Sequence, residues 1–140
     1  MKMKYDFLKA DAEPIEVEFV LKSGEKTGMF LSLRHASSNE VQSVERRYTS
    51  KLIDAAKKNR HANRQKLVDD FDMDRRVAQI ASWRFVEDSI ISIGGEFPEF
   101  TPQNAKTLLS ASGILVHELK SFIDEEAGDS ADFLSSVGIS

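Results

Sequence analysis

The 140-residue chain has no cysteine, which removes disulfides and thiolate metal sites and fits a reducing compartment. Three prolines and seven glycines leave room for long helices. No apolar run follows the two lysines near the start, because Asp6, Lys9, Asp11 and Glu13 interrupt it. A secretory leader needs an apolar stretch of roughly 7–15 residues and is therefore not expected. No segment approaches the roughly 18 consecutive apolar residues of a membrane span. Internal repeats and low-complexity tracts are also missing from the sequence. What is present, 41% apolar and 30% charged residues, is the composition of a soluble globular protein, with the cytoplasm as the expected setting. One domain over residues 1–140 is expected, with a hairpin region at 1–35 and a helical region at 38–137. A domain near this size buries roughly two-thirds of its unfolded surface, enough for an ordinary core.

Ile15, Val17, Phe19 and Leu21 alternate with Glu16, Glu18, Val20 and Lys22, the period of a half-buried strand. Ser23-Gly24-Glu25-Lys26 is a turn signal, and Thr27 to Leu33 offers a second run, so the two read as a β-hairpin. Ser37-Ser38-Asn39 can accept hydrogen bonds from a helix's first turn. Val41, Val44, Tyr48, Leu52 and Ala55 follow at helical spacing. Lys57 to Gln65 lacks apolar anchors and fits either a solvated helical continuation or a loop. Leu67, Phe71, Val77, Ile80, Ala81 and Phe85 form a second stripe, flanked by Trp83 and Val86, and predict a helix ending by Ser89. Ile90 to Ile93 reads as a short extended piece before the Gly94-Gly95 turn. Thr101-Pro102 predicts a capped helix to about Ser110, since proline at the first helical position loses no hydrogen bond. Ser112-Gly113 restarts the chain into a helix lined by Leu115, Leu119, Phe122 and Ile123, with Gly128 as its stop. Asp129-Ser130 is placed to cap a last turn that buries Phe133, Leu134 and Val137. The expected class is α+β: an N-terminal β-hairpin followed by a mostly helical domain of about four to five helices.

Charge is unevenly placed. Residues 45–66 carry eight Lys/Arg against Glu45 and Asp54, while residues 118–140 carry six acids against Lys120. Complementary surfaces on one chain favour association, and the expected contacts between copies are Arg46, Arg47, Lys57 and Lys58 with Asp124, Glu125 and Glu126. The basic segment could also neutralise phosphates, but Tyr48 is its only aromatic and the chain is acidic overall, with pI about 5.4.

Residue sets for chemistry are not found. Asp70, Asp72 and Asp74 have the spacing that opens a calcium loop, but Arg75 stands where the turn needs glycine and Ala81 where it needs a bidentate acid. These acids fit better in the first turn of a helix, where they complement its dipole. His35, His61 and His117 lie in three different expected elements, and Ser121 stands where a second histidine would complete a zinc-helix pair with His117. Two serine–lysine enzyme patterns overlap at Lys26 inside the expected turn, which is coincidence. Gly94-Gly95 fits neither a dinucleotide fingerprint nor a P-loop. No catalytic residue, metal ligand or cofactor is expected, and the chain reads as a non-enzyme. Trp83, Phe85, Phe97 and Phe100 read either as core or as the lining of a groove for a partner helix.

The order of Trp83, then Phe100-Thr101-Pro102-Gln103-Asn104-Ala105, Leu108-Leu109, and finally Leu119, Phe122, Ile123 and Phe133 resembles the tail assembly chaperones of long, non-contractile-tailed bacteriophages. The resemblance covers residues 81–134. It implies a non-enzymatic viral tail assembly protein, an N-terminal β portion with a helical remainder, and work in the host cytoplasm with absence from the mature virion. The implied partners are the tape measure protein, whose apolar helical surface must be kept soluble, and the tail tube protein, with self-association into a homo-oligomer; a membrane is not among them. The alternative expectation is a small nucleic-acid-binding regulatory protein using the basic 45–66 helix.

Overall fold

The computed structural model describes residues 13–58 and 61–139, with the side chains of residues 61 and 62 left aside. Its elements are β1 (Ile15–Val20), β2 (Lys26–Leu33), α1 (Asn39–Lys58), α2 (His61–Gln79), β3 (Ile80–Phe85), α3 (Pro102–Ser110), α4 (Ile114–Ala127) and α5 (Ala131–Ser136). Five helices and an antiparallel three-stranded sheet make the chain α+β. Arg60 of the basic segment lies outside the described residues.

The sheet has the order β1-β2-β3, with the hairpin's second strand at its centre. The third strand stands where the apolar stripe predicts the end of a helix. Its residues explain both readings. Ile80 and Trp83 are three apart, which places them together on a helix but on opposite faces of a regular strand. The register of β3 shifts by one residue against β2, Leu33 facing Ile80 while Ser32 faces Ser82. That bulge absorbs Ala81 and turns both Ile80 and Trp83 inward, opposite Leu33 and Leu31. The helix therefore ends at Gln79, and the isoleucine–tryptophan–phenylalanine run completes the sheet.

Alternation sorts the sheet's two faces. Phe19, Met29, Leu31, Leu33, Ile80 and Trp83 are buried, and they pack on Ala105, Leu108 and Leu109 of α3 and Leu119, Ile123 and Ala127 of α4. On the opposite face Arg84 forms a bidentate pair with Glu16 at 3.1 and 3.0 Å and lies 3.9 Å over the Phe30 ring. A second core joins Val44 and Leu52 of α1 to Phe71 of α2, closed by Val137 and Ile139 after α5. Tyr48 and Phe133 meet the Phe71 ring at 5.4 and 5.1 Å.

A polar joint links the helical hairpin to α4. Arg75 is 1% exposed and donates to Asp124 Oδ1 at 2.9 Å, to the Gly128 carbonyl at 3.2 Å and to Gln79 Oε1. Arg76 holds the same carboxylate through two bonds of 3.1 and 2.9 Å. Burial works against the Arg76 charge, but its hydrogen bond and attraction to Asp124, helped by Asp72, outweigh that and raise its pKa. Ser130, placed by the sequence to cap α5, instead donates to Asp72 Oδ1 at 2.8 Å, while Asp129 Oδ1 accepts from Ala131 N–H at 3.1 Å.

Candidate functional site: an apolar groove beside an aromatic stack

The site begins at Gly28. This glycine has φ +80, and a Cβ there would stand 2.6 Å from Val86 Cγ2 and 3.0 Å from Ser89 Cα. The missing side chain lets the turn after β3 lie directly on β2, where Val86 N–H donates to the Gly28 carbonyl at 2.8 Å and Ile90 N–H to the Thr27 carbonyl at 2.9 Å. Ser89 then fixes the next step, its hydroxyl 3.1 Å from both the N–H and the carbonyl of Ile91. Side chains in an extended piece alternate, so Ile91 enters the core while Ile90 stays 45% exposed.

Across from this segment, Gly113 starts α4 and leaves Ile114 70% exposed. Ile90, Ile91, Ser92, Leu108, Ile114, Leu115, Val116 and Leu119 line a groove of about 300 Å³ between the two. Its floor is the buried Leu108 and Leu119, and serines and Gly113 are its only non-hydrophobic lining. No titratable side chain lines it, and its only hydroxyls are those of Ser92 and Ser112.

The aromatic set lies next along the chain. Ile93 and Glu96 exchange backbone bonds of 2.9 and 3.1 Å around Gly94-Gly95, and the chain returns toward β3. Phe97 then stacks on Phe85 with centroids 5.3 Å apart and an interplanar angle of 18°. Trp83 meets Phe85 at 5.8 Å and Phe100 edge-on at 5.2 Å. Trp83 is 8% exposed and its indole N–H donates to the Pro98 carbonyl at 3.0 Å, so its one polar atom is satisfied inside. Phe85 and Phe100 are half-buried, while Phe97 is 43% exposed. All four rings are thus brought together, graded from core to surface.

The charged residues expected to meet between copies are placed differently from one another. Arg46, Arg47, Lys57 and Lys58 are exposed on α1. Lys58 pairs with Asp54 at 3.0 Å, and Arg47 reaches Asp74 at 4.0 Å. Asp124 is already held by Arg75 and Arg76, whereas Glu125 is exposed and Glu126 turns one carboxylate oxygen inward. Among the described residues no ion pair joins segment 45–66 to segment 118–139. Asp70 pairs with Lys66 at 2.9 Å and Asp74 accepts from Tyr48; the acids of the calcium-like run stand in the middle of α2, not in the first turn of a helix as expected, because α2 begins nine residues before Asp70. Among the described residues no group of three or more His, Asp or Glu side chains converges as a metal site, and no helix is long and apolar enough to cross a membrane.

The groove's sequence signal was slight. Ile90, Ile91 and Ile93 form an apolar cluster between turn residues, and Ile114 stands off the stripe of Leu115, Leu119 and Phe122. Only the close approach of the turn after β3 to Gly28 brings the two together. Compared with protein-family models, with curated proteins and with solved structures, the chain matches none.

Proposed function

We propose that this chain is a phage tail assembly chaperone that binds the tape measure protein, keeps it soluble and helps recruit tail tube subunits. It does so in the host cytoplasm and is left out of the mature virion. The observation that carries the reading is the apolar groove with Ile90 and Ile114 exposed in its lining, which joins the sequence resemblance over residues 81–134. Exposed apolar patches of this kind mark interaction sites, and a shallow groove with an aliphatic floor suits one face of an amphipathic helix. A tape measure presents such helical surface until the tube encloses it. The nucleic-acid alternative draws less support, because Lys58 and Lys66 each sit within 3.0 Å of an aspartate one helical turn away.

Co-expression tests the proposal. Tape measure should move from pellet to supernatant and co-purify with this chain. Ile114→Asn should abolish co-purification while changing stability by no more than about 0.5 kcal/mol, as expected for an exposed position. A tape measure that stays insoluble and never co-purifies refutes the proposal.

A further inference from the structure

The second core opens to solvent between α2 and α5. Val68 of α2, Leu134 of α5 and the buried Ile139 beyond it line a pocket of about 480 Å³, with Ala131 beside them. The remaining lining is Arg64, Gln65 and Ser135, and no carboxylate is among it.

Arg64 is half-buried, and among the described residues its guanidinium makes neither an ion pair nor a hydrogen bond. Elsewhere on the helical hairpin Lys58 pairs with Asp54, Lys66 with Asp70, and Arg75 and Arg76 with Asp124. Gln65 is committed too, donating to Asp69 at 2.9 Å. The Ser135 hydroxyl, by contrast, has no partner among the described residues. A charge that loses water without gaining a counter-ion is costly, so an unpaired guanidinium beside an apolar floor fits an anion.

We propose that this pocket binds a small amphipathic anion, an alkyl carboxylate of the fatty-acid type, whose chain lies on Val68, Leu134 and Ile139 and whose carboxylate meets Arg64 and Ser135. The volume is that of a small-molecule site, which commonly spans roughly 300–1,000 Å³. One cation calls for one negative charge, and the planar guanidinium matches a carboxylate through two parallel N–H donors. The aliphatic floor offers nothing to a polar body, so the rest of the ligand is hydrocarbon. The groove assigned to tape measure is lined by segment 90–92, α3 and α4, whereas this pocket rests on α2 and α5. The two sites therefore stand independently.

Calorimetric titration of the full-length chain with octanoate, kept below its micelle-forming concentration, tests this, with octanol and acetate as controls. Octanoate should bind at one site, and the amide resonances of Val68, Leu134 and Ile139 should shift along the same saturation curve. Octanol has the chain without the charge and acetate the charge without the chain, so each should bind about tenfold more weakly or worse. Lengthening the acid should tighten binding about fourfold per methylene until the pocket is filled. Arg64→Gln should weaken octanoate about tenfold and leave octanol unchanged, a split that damage to the fold would not produce. Should that variant fail to fold, Ser135→Ala at an exposed position is read for the same split. Four results each overturn the proposal: no saturable binding, octanol binding as tightly as octanoate, octanoate affinity unmoved by Arg64→Gln, or shifts confined to Ile90, Ile114 and their neighbours.

Discussion

Thr101 shows how much a single side chain can set. Its backbone is extended (φ −138, ψ 156) and its hydroxyl accepts from Asn104 N–H at 3.0 Å, with Pro102 beginning the helix. Thr101→Ala should therefore lower stability by about 1 kcal/mol, read as a reduced urea midpoint. Tyr48 makes a different kind of contact, donating to Asp74 Oδ2 at 2.6 Å. Burial, and then the Asp74 hydrogen bond and charge, push its pKa up to about 12 from 10. The folded state thus holds this proton more tightly than the unfolded chain. Its contribution to stability is complete below pH 10 and is lost as pH rises from 10 through about 12. Tyr48→Phe should be less stable at pH 8, and the difference from wild type should shrink between pH 10 and 12. A constant difference in urea midpoint across that range would contradict the assignment.

Among the elements, β2 has the most demanding geometry. It pairs on both sides and holds Gly28, on which the turn after β3 lies. At Gly28 a Cβ meets both a left-handed backbone and a contact of 2.6 Å with Val86. Gly28→Ala should cost about 2 kcal/mol or more, the usual range for strain of this kind. The damage should also be local. Faster amide exchange is expected at Val86 and Ile90, whose N–H groups bond the Gly28 and Thr27 carbonyls, and with it a weaker groove. Unchanged exchange at those two amides would mean that the groove stands independently of the close approach at Gly28.

At the scale of the whole molecule, two hydrophobic cores are joined by the Arg75–Asp124 cluster. Removing one member leaves the other's charge buried. Asp124→Ala should cost about 3 kcal/mol, because Arg75 is 1% exposed and keeps neutral acceptors, the more distant Asp72 and a longer-range attraction to Glu45. Replacing both partners, as in Arg75→Met with Asp124→Leu, should destabilise less than the single change, since the most deeply buried charge is then gone and only Arg76, 17% exposed, loses Asp124 as a partner. A double-mutant cycle in urea checks this, and additive losses would show that the two residues act separately.

Periodicity by itself determined much of this protein: the alternating hairpin, the stripes of α1 and α4, the capped α3 and the glycine stops are all set by neighbours a few residues away. Trp83, Phe85, Phe97 and Phe100 could likewise be singled out as one aromatic set. Tertiary structure decided the rest. Ile80 and Trp83 satisfy a helical spacing and a bulged strand equally well, and only the unpaired edge of β2 chooses between them. The same holds for charge. Sequence shows that Asp124 is acidic but not that Arg75 and Arg76 already hold it. The groove itself joins residues near 90 to residues near 114 through backbone bonds to Thr27 and Gly28. Contacts between segments so far apart leave no period along the chain, because they arise from the packing of finished elements rather than from their formation.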